Sequence, residues 1–137
     1  QGQGGGRTLL VAESSVFARG MVRGYLEMAG HHVIEAGSVE EAVARLKQHD
    51  VDLVLGAMDL PPGGGRGVLE EMRREQNTAN LPVIGLMEPE EMPEGAPVPE
   101  GFAGWCLKTD RVAIVSAVEE FQTNEAESEL AGVGGRA

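Results

Sequence analysis

Residues 51–65 read VDLVLGAMDLPPGGG, and this stretch indicates the class of fold. Its apolar run, residues 52–56 (DLVLG), has the length and composition of a strand that is buried on both faces. The prolines and glycines that follow end the run and predict a turn. A strand of this kind, followed by a turn and a helical pattern, is typical of α/β domains with a parallel sheet.

The same alternation continues on both sides of this stretch. Helical spacing of apolar residues recurs between the runs, most clearly after Ser38, where Glu41 completes a capping box. We also expect Ser14 or Ser15 to cap a helix that ends at Gly30, a third helix over about residues 67–76, and a last helix that starts near Asp110. The other apolar runs of strand length lie at residues 8–12, 33–36, 82–86 and 105–107.

Five strands that alternate with helices predict a flavodoxin-like, doubly wound five-stranded parallel sheet of order 2-1-3-4-5. Residues 88–101 contain four prolines and five glutamates, so helix 4 of such a fold, between the fourth and fifth strands, is expected to be shortened or lost. We place the domain at residues 7–123. Residues 1–6 are predicted to be a linker or tail, and residues 124–137 a flexible C-terminal tail.

Composition narrows the class of protein. The chain has 137 residues, 42% of them hydrophobic, which suits one globular domain. Its 22 acidic and 11 basic residues give a net charge of -11, which disfavours direct binding to nucleic acid or to a membrane surface. No run of about 18 apolar residues is present, no signal-peptide pattern opens the chain, and the single cysteine suits a reducing compartment. We therefore expect a cytoplasmic protein.

In the predicted topology, a functional site lies at the carboxyl ends of strands 1, 3, 4 and 5. The sequence there is similar to response-regulator receiver domains of the CheY-like superfamily over about residues 7–121. The matching stretches are LLVAESS, VDLVLGAMDLPPGGG, LPVIGLM and GWCLK. A further stretch resembles the C-terminal receivers of CheA-type hybrid histidine kinases, and it comprises Gly101, Phe102, Trp105, Lys108, Asp110 and Arg111.

A working receiver needs a carboxylate nucleophile, oxygen ligands for magnesium, and a hydroxyl and a cation for the phosphoryl oxygens. The resemblance places the acidic pair at Ala12 and Glu13, the phosphoacceptor at Ala57, the hydroxyl at Met87 and the cation at Lys108. Only Glu13 and Lys108 have suitable side chains. The resemblance therefore implies a degenerate receiver that regulates by protein–protein contact with histidine-kinase modules or chemotaxis proteins, with no enzymatic activity of its own.

The loss of two carboxylates also predicts the charge balance of the site. Clustered carboxylates repel each other unless a metal or a lysine compensates them. With alanine at positions 12 and 57, Glu13 is expected to pair with Lys108, and magnesium binding is expected to be weak or absent. We expect no other cofactor, and Glu13 and Asp59 would be the remains of a metal site.

Two alternatives remain open. Asp59 could serve as the phosphoacceptor, although it lies two residues beyond the acceptor position. The turn at residues 63–67 follows a strand and precedes a helix, where an anion or nucleotide could bind. It lacks the residues of a P-loop or dinucleotide fingerprint, so a flexible turn with a solvated Arg66 is the simpler interpretation.

The remaining candidates have ordinary structural interpretations beside the functional ones. Trp105 occupies the family's aromatic switch position, where a sulfur–aromatic contact with Met87 could hold it in one rotamer. Ordinary packing at a strand end explains it equally well. We expect the histidines to be solvated or to cap helices, and Cys106 to be buried in its strand. The three histidines are His31, His32 and His49.

Overall fold

The computed structural model of the chain describes residues 6–91 and 98–130. Its five strands form one parallel sheet of order β2-β1-β3-β4-β5, which confirms the predicted flavodoxin-like topology. Each predicted apolar run became a strand, with boundaries that differ from the prediction by at most one residue. The strands are β1 (Thr8–Ala12), β2 (His32–Ala36), β3 (Leu53–Ala57), β4 (Val83–Met87) and β5 (Gly104–Leu107).

Helices cover both faces of the sheet, because α1 packs against α4 and α2 packs against α3. Between β4 and β5, where the flavodoxin-like fold has its fourth helix, the described residues contain a 3-10 turn, Pro89–Glu91. This helix is therefore shortened, as expected, and residues 92–97 lie outside the described part. The helices are α1 (Val16–Met28), α2 (Val39–Gln48), α3 (Gly64–Arg73) and α4 (Arg111–Leu130).

Serine caps fix where the first two helices begin. The Ser15 hydroxyl accepts a hydrogen bond from the backbone N–H of Ala18 at 3.2 Å, and the Ser38 hydroxyl accepts one from Glu41 at 3.1 Å. The Glu41 carboxylate accepts from the N–H of Gly37 at 2.6 Å, one residue before the position of a standard capping box. These caps hold the loops after β1 and β2 at the carboxyl edge of the sheet.

Helix α3 begins at Gly64, three residues earlier than the predicted start at residue 67. Gly64 has a φ of 72°, and a Cβ at this position would collide with the carbonyl of Met58. Its N–H donates to the carbonyl of Leu60 at 2.5 Å. Because glycine alone fits this left-handed, crowded position, the chain turns from β3 into α3 sooner than the hydrophobic pattern indicated.

Helix α4 starts where it was predicted and ends later. The Asp110 carboxylate accepts from the N–H of Ala113 at 3.1 Å and caps the helix. The helix continues to Leu130, past the domain boundary predicted at residue 123, since residues 111–130 contain no glycine or proline that would end it. The predicted N-terminal tail, apart from Gly6, and residues 131–137 lie outside the described residues.

Cys106 and His31 were both singled out from the sequence, and both are buried in the structure. Cys106 is buried as predicted; burial, with a smaller effect of the nearby Asp110 carboxylate, raises the pKa of its thiol to about 11. His31 was expected to be solvated or to cap a helix, but only 6% of it is exposed.

Across residues 6–91 and 98–130, no helix combines the length and apolar character that crossing a membrane requires.

Candidate functional site

The carboxyl ends of four strands meet at one edge of the sheet. Backbone hydrogen bonds extend the ladders one residue past the strand ends, with Met58 N–H donating to Leu86 at 2.9 Å and Lys108 N–H donating to Met87 at 3.0 Å. The Glu13 N–H donates to Ala36 at 2.9 Å in the same way. The backbone at this edge is therefore held by the sheet, and the side chains that follow the strands are positioned with it.

Lys108 lies at the centre of a charge cluster, and 4% of its side chain is exposed. Its Nζ lies 2.7 Å from Glu13 Oε1, 3.0 and 3.2 Å from the two Asp59 oxygens, and 3.2 Å from Glu88 Oε2. We call Lys108, Glu13, Asp59 and Glu88 the Lys108 cluster. The predicted pair between Glu13 and Lys108 is confirmed.

Glu13 is the buried member among the three carboxylates, with 2% of its side chain exposed. Its Oε2 accepts from the N–H of Ser15 at 2.8 Å, and its backbone carbonyl accepts from the Arg19 guanidinium at 2.8 Å. Within the described residues, Oε1 has no hydrogen bond of good geometry, so the ion pair with Lys108 is its stabilising contact. Removing the ammonium would leave this buried charge uncompensated.

Lys108 stays protonated in this environment. Burial by itself lowers the pKa of its ammonium, but the hydrogen bonds with Asp59 and the negative charges of Glu13 and Asp59 together raise it by more. The net effect raises the pKa of Lys108 above its ordinary value. One ammonium therefore faces three carboxylate side chains, with Asp59 and Glu88 at the solvent-exposed rim.

The position that the resemblance assigns to the phosphoacceptor carries a buried methyl group. Ala57, the last residue of β3, is fully buried, as is Ala12 at the end of β1. Met87, at the position of the family's hydroxyl, ends β4 and is 3% exposed. None of these three side chains offers an oxygen for covalent or metal chemistry.

Two of the four members of the Lys108 cluster were not predicted as partners of Lys108. Asp59 was expected to lie further along than the acceptor position, yet it reaches Lys108 and keeps 44% of its side chain exposed. Glu88 was not singled out at all. The signal that could have found it is its place directly after β4, because residues that follow neighbouring parallel strands share one edge.

Trp105 and Met87 lie on neighbouring strands, two residues apart in the register of the ladder. The ladder pairs Trp105 with Gly85, and Met87 with Leu107. Alternation along the strands places Trp105 and Met87 on the same face of the sheet. A sulfur–aromatic contact between them stays a prediction.

The glycine-rich turn after β3 is packed against the sheet. Gly64 and Gly65 are buried, and a Cβ at Gly65 would lie 3.0 Å from the carbonyl of Gly56. The N–H of Gly67 donates to Gly63 at 3.1 Å. Arg66 is exposed, as expected, and its guanidinium lies 5.7 Å from the centre of the Phe102 ring, where a cation gains from an aromatic face.

Comparison with known proteins assigns the family. The family profile described as "Response regulator receiver domain" matches residues 9–97. The chain belongs to the response-regulator receiver family. In sequence, it is 31% identical over 81 residues to the phosphate regulon transcriptional regulatory protein PhoB of Pseudomonas aeruginosa, and 35% identical over 80 residues to PhoB of Escherichia coli. The matches cover 59% and 58% of this chain but 35% of each relative, so the chain aligns with about a third of their length.

Solved receiver structures share the fold. The chemotaxis response regulator CheY4 of Vibrio cholerae superposes with a TM-score of 0.70 at 23% identity, covering 83% of this chain and 97% of that one. The magnesium-bound receiver domain of a sensor histidine kinase from Pseudomonas aeruginosa gives a TM-score of 0.72 at 18% identity, covering 87% and 99%.

The residues of this receiver do not fit a receiver-type magnesium site. Magnesium requires several oxygen ligands in near-octahedral geometry. Positions 12 and 57 carry methyl groups, while Glu13 is committed to Lys108 and to the N–H of Ser15. Among the residues that the structure describes, no three His, Cys, Asp or Glu side chains are arranged to hold a metal ion.

Proposed function

We propose that this chain is a degenerate receiver of two-component signalling that acts by protein–protein contact and does not accept a phosphoryl group. The observation that carries the proposal is the buried methyl of Ala57 at the acceptor position. Transfer of a phosphoryl group to this position requires a nucleophilic side chain, and the alanine methyl group is not one. The Lys108 cluster adds support, because its lysine already compensates the carboxylates that a metal would otherwise hold.

The proposal includes a contact surface. Four of the five exposed large apolar side chains among the described residues lie on α1 and α4; they are Val16, Phe17, Met28 and Val112. We call these four residues the α1–α4 face. A groove of about 320 Å³ separates the two helices beside Met28 and Val112. Of the four, Met28 and Val112 line this groove, and an exposed apolar groove is the kind of surface that proteins use for mutual contact.

We assign a histidine-kinase module or chemotaxis protein as the partner, with the chain acting as the cytoplasmic receiver of a CheA-type hybrid kinase. The assignment depends on family membership and on the resemblance of the stretch from Gly101 to Arg111 to such receivers. The sequence relatives are transcriptional regulators, so a receiver joined to a transcriptional output module is the competing arrangement. In either arrangement any catalytic activity lies outside this chain.

A second candidate function is supported by Asp59. Its carboxylate is partly exposed and touches Lys108, so a phosphoryl group on Asp59 would have a cation beside it. Incubation with acetyl phosphate or phosphoramidate and magnesium, followed by intact-protein mass spectrometry, separates the two candidates. We expect no 80 Da adduct. A hydroxylamine-sensitive adduct that disappears in Asp59→Asn would establish the second candidate and overturn the first.

The contact surface has its own test, photocrosslinking in cells. A photoreactive amino acid at Met28 is compared with one at Gln76, which is exposed away from the α1–α4 face. We expect position 28, and not position 76, to capture a histidine kinase or chemotaxis protein identified by mass spectrometry. Equal capture at the two positions, or capture of transcriptional machinery alone, would contradict the assigned partner.

A further inference from the structure

His31 is a buried polar side chain that plays no part in the proposed signalling function. It lies between α1 and β2, directly after Gly30, whose φ of 98° ends the helix. Its backbone N–H donates to the carbonyl of Leu26 at 3.1 Å, which fixes it to the last turn of α1. The residue is 6% exposed, whereas the neighbouring His32 is exposed.

The ring of His31 holds the chain that enters β1. Its Nδ1 accepts a hydrogen bond from the backbone N–H of Arg7 at 3.2 Å. The carbonyl of Arg7 accepts from the N–H of His32 at 2.9 Å, so Arg7 is bound through both of its backbone groups. These bonds lie directly before Thr8, where the pairing of β1 with β2 begins.

The hydrogen bonds of His31 assign its protonation state. Because Nδ1 accepts, it carries no proton, and the neutral ring holds its proton on Nε2. Nε2 is buried and has no hydrogen-bond partner within the described residues. A second proton would have to enter at Nδ1, where it faces the Arg7 N–H, and its charge would be buried without a new acceptor.

We propose that His31 is an acid-sensitive latch that fastens Arg7 and the start of β1 to the end of α1, and that opens when the ring is protonated. In the open state the Arg7 N–H loses its acceptor and the His31 ring turns toward water. Opening would loosen the first step of the β1–β2 ladder and leave the Lys108 cluster, at the opposite edge of the sheet, in place.

The charges around His31 set the direction of the pH dependence. Burial lowers the pKa of the His31 ring most strongly; the Glu119 carboxylate of α4 raises it and the Arg7 guanidinium lowers it, with a lowered pKa as the net result. The closed latch therefore binds fewer protons than the open one. Its stabilisation is complete above the ordinary histidine pKa near 6.5 and is lost as pH falls through the lower pKa of the closed state, with the open fraction rising about tenfold per pH unit within that window.

Titration by NMR tests the latch on the unaltered protein. We expect the His31 ring to titrate below pH 6.5 and the amide signal of Arg7 to move with the same midpoint. An Arg7 amide that does not respond to the titration of His31 would overturn the proposal.

A matched pair of variants provides the second test. His31→Asn retains a side-chain acceptor but cannot titrate, and His32→Asn alters the exposed neighbour. We expect the melting temperature of the native chain and of His32→Asn to fall between pH 7 and pH 5 by more than that of His31→Asn. Parallel pH profiles for all three proteins would overturn the proposal, even if His31→Asn were less stable at every pH.

Discussion

At the two edges of the sheet, the pKa values of two buried side chains are shifted in opposite directions. At the carboxyl edge, the Lys108 ammonium has three carboxylate partners, and its pKa is raised. At the amino edge, within residues 6–91 and 98–130, the His31 ring has one hydrogen bond and one buried nitrogen without a partner, and its pKa is lowered. Burial alone shifts both groups in the same direction, toward the neutral form. The difference shows that a buried group stays charged where its partners outweigh the effect of burial, as at Lys108, and stays neutral where burial dominates, as at His31.

Lys108 and His31 also lose their stabilising contributions in different pH ranges. Lys108 has a raised pKa, so its stabilising contribution is complete below the ordinary lysine pKa and is lost only as pH rises through the higher native value. His31 has a lowered pKa, so its contribution is lost in acid. Near neutral pH the carboxyl edge is insensitive to pH, whereas the stabilising contribution at the amino edge is lost as the solution becomes acidic.

Lys108→Met should have the largest effect on stability. The variant leaves the buried Glu13 carboxylate without its ion pair, which typically costs about 3–5 kcal/mol of unfolding free energy. Urea unfolding at pH 7 measures the loss, with Lys47→Met on the exposed side of α2 as the control, expected within about 0.5 kcal/mol of the native chain. Equal stability of the two variants would show that the Lys108 cluster is not a buried charge network.

Glu13→Gln and Asp59→Asn divide the cluster into a buried and an exposed part. Glu13 is the nearly fully buried partner, so its replacement should cost about 1–3 kcal/mol. Asp59 is 44% exposed and screened by water, and its replacement should cost less than about 1 kcal/mol. The same unfolding measurement ranks them. A larger loss for Asp59→Asn would show that the exposed Asp59, and not the buried Glu13, is the main stabilising partner of Lys108.

Most of the fold could be predicted from the sequence because its strands and helix caps are local signals. The run at residues 8–12 and the caps at Ser15 and Ser38 need only neighbouring residues to be recognised. The start of α3 could not be placed from helical periodicity, since it depends on the contact between Gly64 and the carbonyl of Met58.

The site residues that directly follow a strand could be predicted, because the ends of the strands could be predicted. Glu13 and Lys108 follow β1 and β5, so their pairing could be expected from the topology. The contribution of Glu88 and the reach of Asp59 depend on side-chain conformations at the rim, which a one-dimensional pattern does not contain. The environment of His31 depends on Arg7 and on Glu119 of α4, which are both distant from it in the sequence.

The proposed function requires that Lys108 take the place of a metal ion among the carboxylates of this receiver. A magnesium titration followed by amide NMR at neutral pH tests it most directly, with Glu13 and Asp59 as reporters. The account predicts no saturable shift at these residues up to concentrations of about 10 mM, because methyl groups occupy positions 12 and 57 and Lys108 neutralises Glu13. Saturable binding of one magnesium ion that shifts both reporters at sub-millimolar concentrations would contradict it.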